Sequence, residues 1–563
     1  VKTRMNPDAP VDFVNGQSFL LAGQKNPKSI ANFAPVDSWL YFDPTKGPDA
    51  SPTMARIKIQ NGSSIREAWI DLTKPELAKQ ITDQIYTCRI VTASHYLDIA
   101  LLSYCLENPK NRKDATRLYF QQHGLCHLSN GCWLYVAGDT VLGMPPDTDY
   151  VIAQNVRQAH LARDPALSTS EAVQILCRLL EKNQDILFPV WGFAIAGSLR
   201  SALSGVDMTT FPLLGIIGGQ NFGKTTIAQR YLLLYDDNLN PDRYWGQFDA
   251  SSTFAAIITQ INDFRDQIVL VDDLAKSGSP TEQRKRQDLL ASILRFAAND
   301  TGRAKMNEKK QIQRQICQTG IAFTGEFMFQ NASDITRSIL VPINQQMKGG
   351  QPDERTVAAT VFYALIQWLL PQLDQKLEKL HQFLANVQVD SNPRLMKNGL
   401  LILWALGLFF RFAEEQGVIT NKYHQKVIDR AKQALNRILD QQALQCERLT
   451  NENPKGNLSW YILYGHSHNL FPVATDQKSV NIKNCGLINN DTLYIRSSIL
   501  LQYFQKHTPY HLSSDKEMNK QLKREGILGD TREHRSAHSK INGVRCLKLD
   551  IKLLQKKAHD YSC

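Results

Sequence analysis

No apolar run in this chain is long enough to cross a bilayer. The longest, Leu400 to Phe410, contains a glycine and stops at Arg411, far short of the ~20 residues a membrane helix needs, so it is read as a buried helix. The start also lacks a basic segment followed by an apolar one, since Val1 to Phe19 is polar and holds two prolines. Secretion is therefore not indicated, and a cytoplasmic protein without a membrane partner is expected. The ten cysteines, scattered from Cys88 to Cys563, include no CxxC pair, which argues against a disulfide framework and a paired zinc signature. His123, Cys126, His127 and Cys132 come nearest to a metal cluster, at irregular spacing, and a structural zinc there is kept as an alternative to no metal at all.

What is present is globular. Hydrophobic residues make up 43% and charged residues 21% of 563, which disfavours a mainly disordered, collagen-like or coiled-coil chain and suggests three or four domains. A formal charge of +11 favours polyanionic partners without identifying one.

Six prolines between Pro7 and Pro48 point to a loosely ordered leader over residues 1–50, with Ser38 to Phe42 as one strand. Residues 51–160 read as a small α+β domain. Strands are expected at Ala55 to Gln60 and Glu67 to Leu72, helices at Pro75 to Tyr86 and Ser94 to Glu107, and a hairpin crosses Gly138-Asp139. An α/β core spans residues 161–450. Its strands are the continuous apolar runs Phe211 to Ile217, Ile268 to Val271, Ile321 to Phe323 and Ser338 to Ile343, separated by helical stretches as in a parallel sheet. Three helices follow, Arg355 to Val387, Arg394 to Glu415 and Asn421 to Gln445, and are read as a lid. Residues 451–563 begin with an Asn-rich linker and continue as helix, helix and β-wing, the order of a winged helix.

The chemistry begins after the first core strand. Gly218-Gly219-Gln220-Asn221-Phe222-Gly223-Lys224-Thr225 fits G-x-x-x-x-G-K-[ST] at every fixed position, between a strand and a helix, and Thr226 continues into that helix. The glycines let successive N–H groups turn toward phosphate oxygens, and the helix directs its positive end to the same place. Lys224 is expected at the β- and γ-phosphates of ATP, and the Thr225 hydroxyl as a hard ligand for Mg²⁺. Ile268-Val-Leu-Val-Asp-Asp273 supplies the acidic strand end such a site needs, with Asp272 in the Mg²⁺ shell and Asp273 orienting or deprotonating the attacking water. Thr324 and Glu326 follow the third strand, where a polar group can contact the γ-phosphate or the water. Arg337 either reaches a nucleotide held by a neighbouring subunit, which implies a ring, or pairs with Asp334 on the surface. Arg394, after Pro393, is a second candidate with the same two readings.

These stretches, in this order, resemble the AAA+ ATPases related to minichromosome-maintenance helicases that mobile genetic elements carry as replication helicases. The match takes in Gly218 to Thr226, Asp249 to Ala256, Val269 to Ala275, Asn299 to Ala304, Phe323 to Glu326 and Thr336 to Leu340, and extends loosely over residues 55–415. Asp273 departs from it, because Glu is frequent at that place. The resemblance implies an AAA+ P-loop core with an α-helical lid, a hexameric ring that hydrolyses ATP between subunits, DNA as partner and a C-terminal winged helix. A primase or another replication protein is a further partner it leaves open.

In a helicase of this kind a hairpin between the second and third core strands projects into the channel, which places Arg303, Lys305, Lys309 and Lys310 against the phosphate backbone. A solvated basic face is the alternative. Residues 513–563 hold twelve Lys and Arg against seven Asp and Glu. Lys516, Lys520, Lys523 and Arg524 share one helical face, and Arg535, Lys540 and Arg545 flank the wing, for DNA or for a protein partner. Three functions are weighed: a DNA helicase or translocase, a DNA-binding ATPase switch that initiates replication or loads another helicase, and a small-molecule P-loop kinase. The long lid and basic C-terminal domain disfavour the last.

Overall fold

The computed structural model describes residues 11–20, 28–44, 51–92, 95–107, 117–128, 130–146, 148–204, 206, 211–240, 244–249, 257–258, 261, 263–274, 280–298, 303–306, 312–326, 329, 331–344, 354–386, 392–450, 458–474, 484–508, 512, 514–528 and 538–559.

The apolar runs are strands of a central sheet, numbered here in chain order: β1 Leu213–Gly218, β2 Gln247–Asp249, β3 Ile268–Leu274, β4 Gly320–Gly325 and β5 Ser338–Ile343. All pair in parallel, in the order β2-β3-β4-β1-β5. Side chains alternate across a strand, so Leu214, Ile216, Leu270, Ala322 and Val341 enter the core on one face, while Leu213, Ile217, Val269, Val271, Ile321 and Phe323 enter the core on the other. A strand covered on both faces is apolar throughout, which is why these runs show no period-two alternation.

The helices around the sheet are α1 Thr169–Lys182, α2 Gln184–Gly197, α3 Lys224–Tyr231, α4 Pro280–Ala298, α5 Glu354–Leu369, α6 Pro393–Glu415 and α7 Asn421–Thr450. Ser168 caps α1 by accepting the Glu171 amide at 3.3 Å, and Pro393 opens α6 at a position where no amide is needed. α4 and Ile257, Ile258 and Ile261 cover one face. The helices read as a lid do not stand apart from the sheet: α5, α6 and α7 bury one continuous core with α1, α2 and the other sheet face. The reason lies in α2, apolar on nearly every side from Leu187 to Gly197 and so in need of cover all round. A β-carbon on Gly192 would stand 2.6 Å from Ile402 Cγ2, so glycine lets α2 and α6 meet closely. Pro371 splits the expected helix 355–387 into α5, a 3₁₀ turn Leu370–Gln372 and a helix Leu373–Ala385. Glu354–Ala385 and α6 are long and apolar enough to cross a membrane by length and composition, but 61% of each apolar window is buried inside the protein.

The expected leader needs correction. Its described residues form strands Val11–Val14, Gln17–Leu20 and Lys28–Ala31 in an antiparallel meander, and Ala34–Tyr41, which pairs with Met54–Asn61 and through it with Ser64–Asp71. Asn15-Gly16, at φ 48° and 75°, makes the two-residue turn of the first hairpin, and Pro35 sits at a register irregularity that tolerates it. With helices Leu77–Gln84 and His95–Glu107 these strands enclose their own core. Residues 118–161 behave differently: Leu125, Tyr135 and Leu161 belong to the central core, and Ala159–Leu161 pairs with Tyr235–Asp237. Residues 458–559 bury a separate core. There a five-stranded sheet carries the hairpin His538–Ile541/Val544–Asp550 beside helices Ser497–His507 and Asp515–Arg524, with a further helix, Ile551–His559, that the sequence reading omitted.

Candidate nucleotide site

Because the sheet is parallel, the C-terminal ends of β1, β3 and β4 lie side by side on one edge, where ligands of open α/β sheets bind. Gly218 ends β1 pressed against β5: a β-carbon there would fall 2.5 Å from the Ile343 carbonyl oxygen. The loop then turns through Asn221 at φ 60° and Gly223 at φ 85°, left-handed positions that release the chain into α3. Lys224 Nζ donates to the carbonyls of Gly218 at 3.1 Å and Gly219 at 2.7 Å, which holds the ammonium over the loop with one of its three N–H groups left for a ligand.

Next to the loop, one carboxylate gathers three donors. Asp272 Oδ1 accepts from Thr225 Oγ1 at 2.9 Å and from Thr324 Oγ1 at 2.5 Å, and its Oδ2 accepts from Gln247 Nε2 at 2.9 Å. Gln229, one turn along α3, donates to Gln247 Oε1 at 3.1 Å and so steadies the support. The register explains the convergence, since Ile216 pairs with Thr324 and Val271 with Phe323. A register shift between Val271 and Leu274 and a left-handed Asp273, φ 60°, turn the Asp273 side chain out to solvent, while its amide donates to Thr324 Oγ1 at 3.0 Å. The Glu326 amide donates to the Leu274 carbonyl at 3.2 Å, which keeps Glu326 beside this edge. Thr225 and Asp272 are hard oxygen donors of the kind Mg²⁺ takes together with phosphate oxygens and water.

Lys224, Thr225, Asp272, Asp273 and Thr324 are thus brought together. Arg337 and Arg394 are not. Arg337 precedes β5 and its carbonyl accepts the Leu213 amide at 3.0 Å, so it stands at the opposite edge of the sheet. At about 3.3 Å per residue, a six-residue β1 separates the two edges by roughly 20 Å. The Arg337–Asp334 pairing considered from sequence does not form: Arg337 Nη1 donates to the Ser333 carbonyl at 2.8 Å, and its Nε is buried with no partner among the described residues. Burial first, then the positive field of Arg394, pushes the Arg337 guanidinium below its usual range, with Asp334 opposing and Arg295 adding to the effect. Arg295, on α4, was missed because its sequence neighbours mark only an amphipathic helix. Gln247 was missed too, since β2 is three residues long and carries no motif.

On the nucleic-acid side, Arg303 and Lys305 belong to an antiparallel hairpin, Arg303–Met306 with Ile312–Gln315. Their side chains, and Lys309, Lys310 and Arg535 altogether, lie outside the described residues. Lys516, Lys520, Lys523 and Arg524 are exposed on a helix whose opposite side buries Met518 and Leu522. Lys540 faces Arg545 directly across the last hairpin, both exposed. The suggested zinc cluster does not assemble. His123 is buried with both ring nitrogens unpartnered, burial holding it neutral with its pKa lowered to about 3, while Cys132 is exposed. No group of three His, Cys, Asp or Glu side chains able to hold a metal occurs among the described residues.

No protein-family model and no curated protein matches the chain. Among solved structures it is similar to the SCCmec type IV Cch active helicase, at 15% identity over 97% of this chain and 98% of that one, with a TM-score of 0.46. It is also similar to a JCV helicase solved with a phenoxyphenyl acetamide compound, at 14% identity over 51% of this chain and 74% of that one, with a TM-score of 0.20. The reading of the site rests on its own geometry.

Proposed function

We propose that this chain is a ring-forming ATPase that moves along DNA as a helicase in the replication of a mobile genetic element. The observation that carries the nucleotide part is the Asp272 carboxylate, which receives Thr225 from the phosphate loop and Thr324 from the neighbouring strand. In this reading the loop amides and Lys224 hold the triphosphate of ATP, and Thr225 and Asp272 hold Mg²⁺, which when bound neutralises phosphate charge. Thr324 senses the γ-phosphate. Asp273, facing solvent, positions the attacking water and accepts its proton. Arg337 and Arg394 act on the nucleotide of the next subunit, which the opposite-edge placement of Arg337 supports, and a hexamer brings the two edges together.

The DNA part draws on charge. Like charges opposite each other on a hairpin, as at Lys540 and Arg545, cost stability unless an anion lies against them, and the lysine face of helix Asp515–Arg524 offers the same chemistry. Both suit a winged helix against a phosphate backbone. The mobile-element setting draws on the family resemblance of the motifs. Strand displacement on a forked duplex, run beside Lys224→Ala, tests the reading. ATP-dependent unwinding that the variant abolishes is expected, whereas hydrolysis and DNA binding without unwinding would favour the loader or initiator switch.

A further inference from the structure

Arg200 is 4% exposed and lies just beyond α2, in the short helix Arg200–Leu203, away from the residues placed in the nucleotide site. Its partners among the described residues are two carbonyls and a ring, an unusual setting for a buried guanidinium. Nε donates to the Cys317 carbonyl at 2.8 Å, Nη2 donates to the Ala297 carbonyl, and the charge sits 4.4 Å from the centre of the Phe211 ring. The cavity it lines with Phe211, Cys317 and Gln318 has a volume of about 10 Å³, room for a water at most, so no ligand explains it.

The two carbonyls have a common meaning. Ala297 belongs to the last turn of α4, where the chain leaves for the hairpin Arg303–Met306/Ile312–Gln315, and Cys317 lies just after the hairpin, where the chain returns to β4. We propose that Arg200 is the positioning residue of this hairpin: its planar fork ties the limb that enters to the limb that leaves, so the root moves with β4. The proposal rests on the translocase reading, in which the hairpin touches DNA.

Neighbouring bonds give the root its anchorage. The Asp266 amide donates to the Gln318 carbonyl at 2.8 Å, and Thr319 Oγ1 shares its one proton between the carbonyls of Ile261 at 2.8 Å and Phe264 at 2.9 Å. The Asp266 carboxylate accepts from the amide of Ser201, the residue after Arg200, at 2.6 Å and from the Leu125 amide at 2.9 Å. At its other end β4 carries Thr324, bonded to Asp272. A six-residue strand therefore connects the phosphate edge to the hairpin root, and Arg200 is what makes both limbs follow that strand. Lysine cannot do this equally, because an ammonium has no fixed fork to span two carbonyls.

The test compares the parent chain with Arg200→Met and Arg200→Lys by hydrogen exchange and by ATP turnover with and without single-stranded DNA. In Arg200→Met, amides of 303–306 and 312–315 should exchange about tenfold faster or more, with β1 amides unchanged, and Arg200→Lys should fall between. DNA stimulation of turnover should be lost in Arg200→Met, while DNA-free turnover stays within about twofold. Unchanged hairpin exchange overturns the proposal, and so does a parallel rise in β1, which would make Arg200 a general packing residue. A parent chain without DNA-stimulated turnover refutes the translocase reading instead, and the exchange result then still decides whether Arg200 ties the root.

Discussion

Thr324→Val separates hydrogen bonding from packing at the centre of the candidate site. Thr324 is fully buried, donates to Asp272 at 2.5 Å and accepts the Asp273 amide at 3.0 Å. Valine keeps the shape and removes both bonds. A hydrogen bond to a carboxylate contributes about 1.5–3 kcal/mol, and an unpaired amide adds a cost of about 1–3 kcal/mol. Thr225 and Gln247 still hold Asp272, so the low end of both ranges applies, about 2.5–3 kcal/mol in all. Serine makes the opposite change, keeping both bonds and losing one buried methyl at a cost of about 0.8 kcal/mol. Native-state hydrogen exchange at the β3 and β4 amides reads the loss, and about 2.5–3 kcal/mol corresponds to a fall in protection of roughly 70- to 150-fold. The account requires valine to be worse than serine, in exchange and in ATP turnover alike. If valine equals or exceeds serine, packing governs this position and the hydroxyl is not the link between Asp272 and β4.

Two other variants, one single and one triple, probe the remaining surfaces. Arg337→Ala should leave the affinity for ATP within a few-fold while lowering turnover by about 10³-fold or more, since a cation from a neighbouring subunit acts on transition-state charge; normal hydrolysis by the variant would remove it from the reaction. Replacing Lys516, Lys520 and Lys523 together by glutamine should make the slope of log affinity for DNA against log salt less negative by about 0.7 to 0.9 for each lysine that faces a phosphate. An unchanged slope would assign that face to a protein partner.

The central sheet was largely legible because burial on both faces writes a strand as an unbroken apolar run, and four of its five strands announce themselves that way. β2 does not, because three residues at the rim carry no such signature. In the site, the loop from Gly218 to Thr225 and the pair Asp272-Asp273 could be read from residue type and spacing, since phosphate and hard-cation chemistry demand those types. Gln247 could not, because an amide that steadies a carboxylate is set by register rather than by motif. Arg200 was invisible for a related reason: its partners are backbone carbonyls, which every residue possesses. Ser38 to Phe42 falls largely within the strand Ala34–Tyr41, but the three strands before it were missed, because closely spaced prolines were read as excluding regular elements and the Asn15-Gly16 turn went unread. That the three lid helices share one core with α1, α2 and the sheet was not read from the sequence, although the all-round apolarity of α2 already required helices to cover it.

Titration calorimetry of ATP into the parent chain and into Lys224→Ala, with and without Mg²⁺, tests the main claim most directly. Loss of charge-assisted contacts contributing about 1.5–3 kcal/mol predicts saturable, Mg²⁺-dependent binding that weakens roughly 10- to 150-fold in the variant. Binding of equal strength in both proteins, or none in the parent, would contradict it.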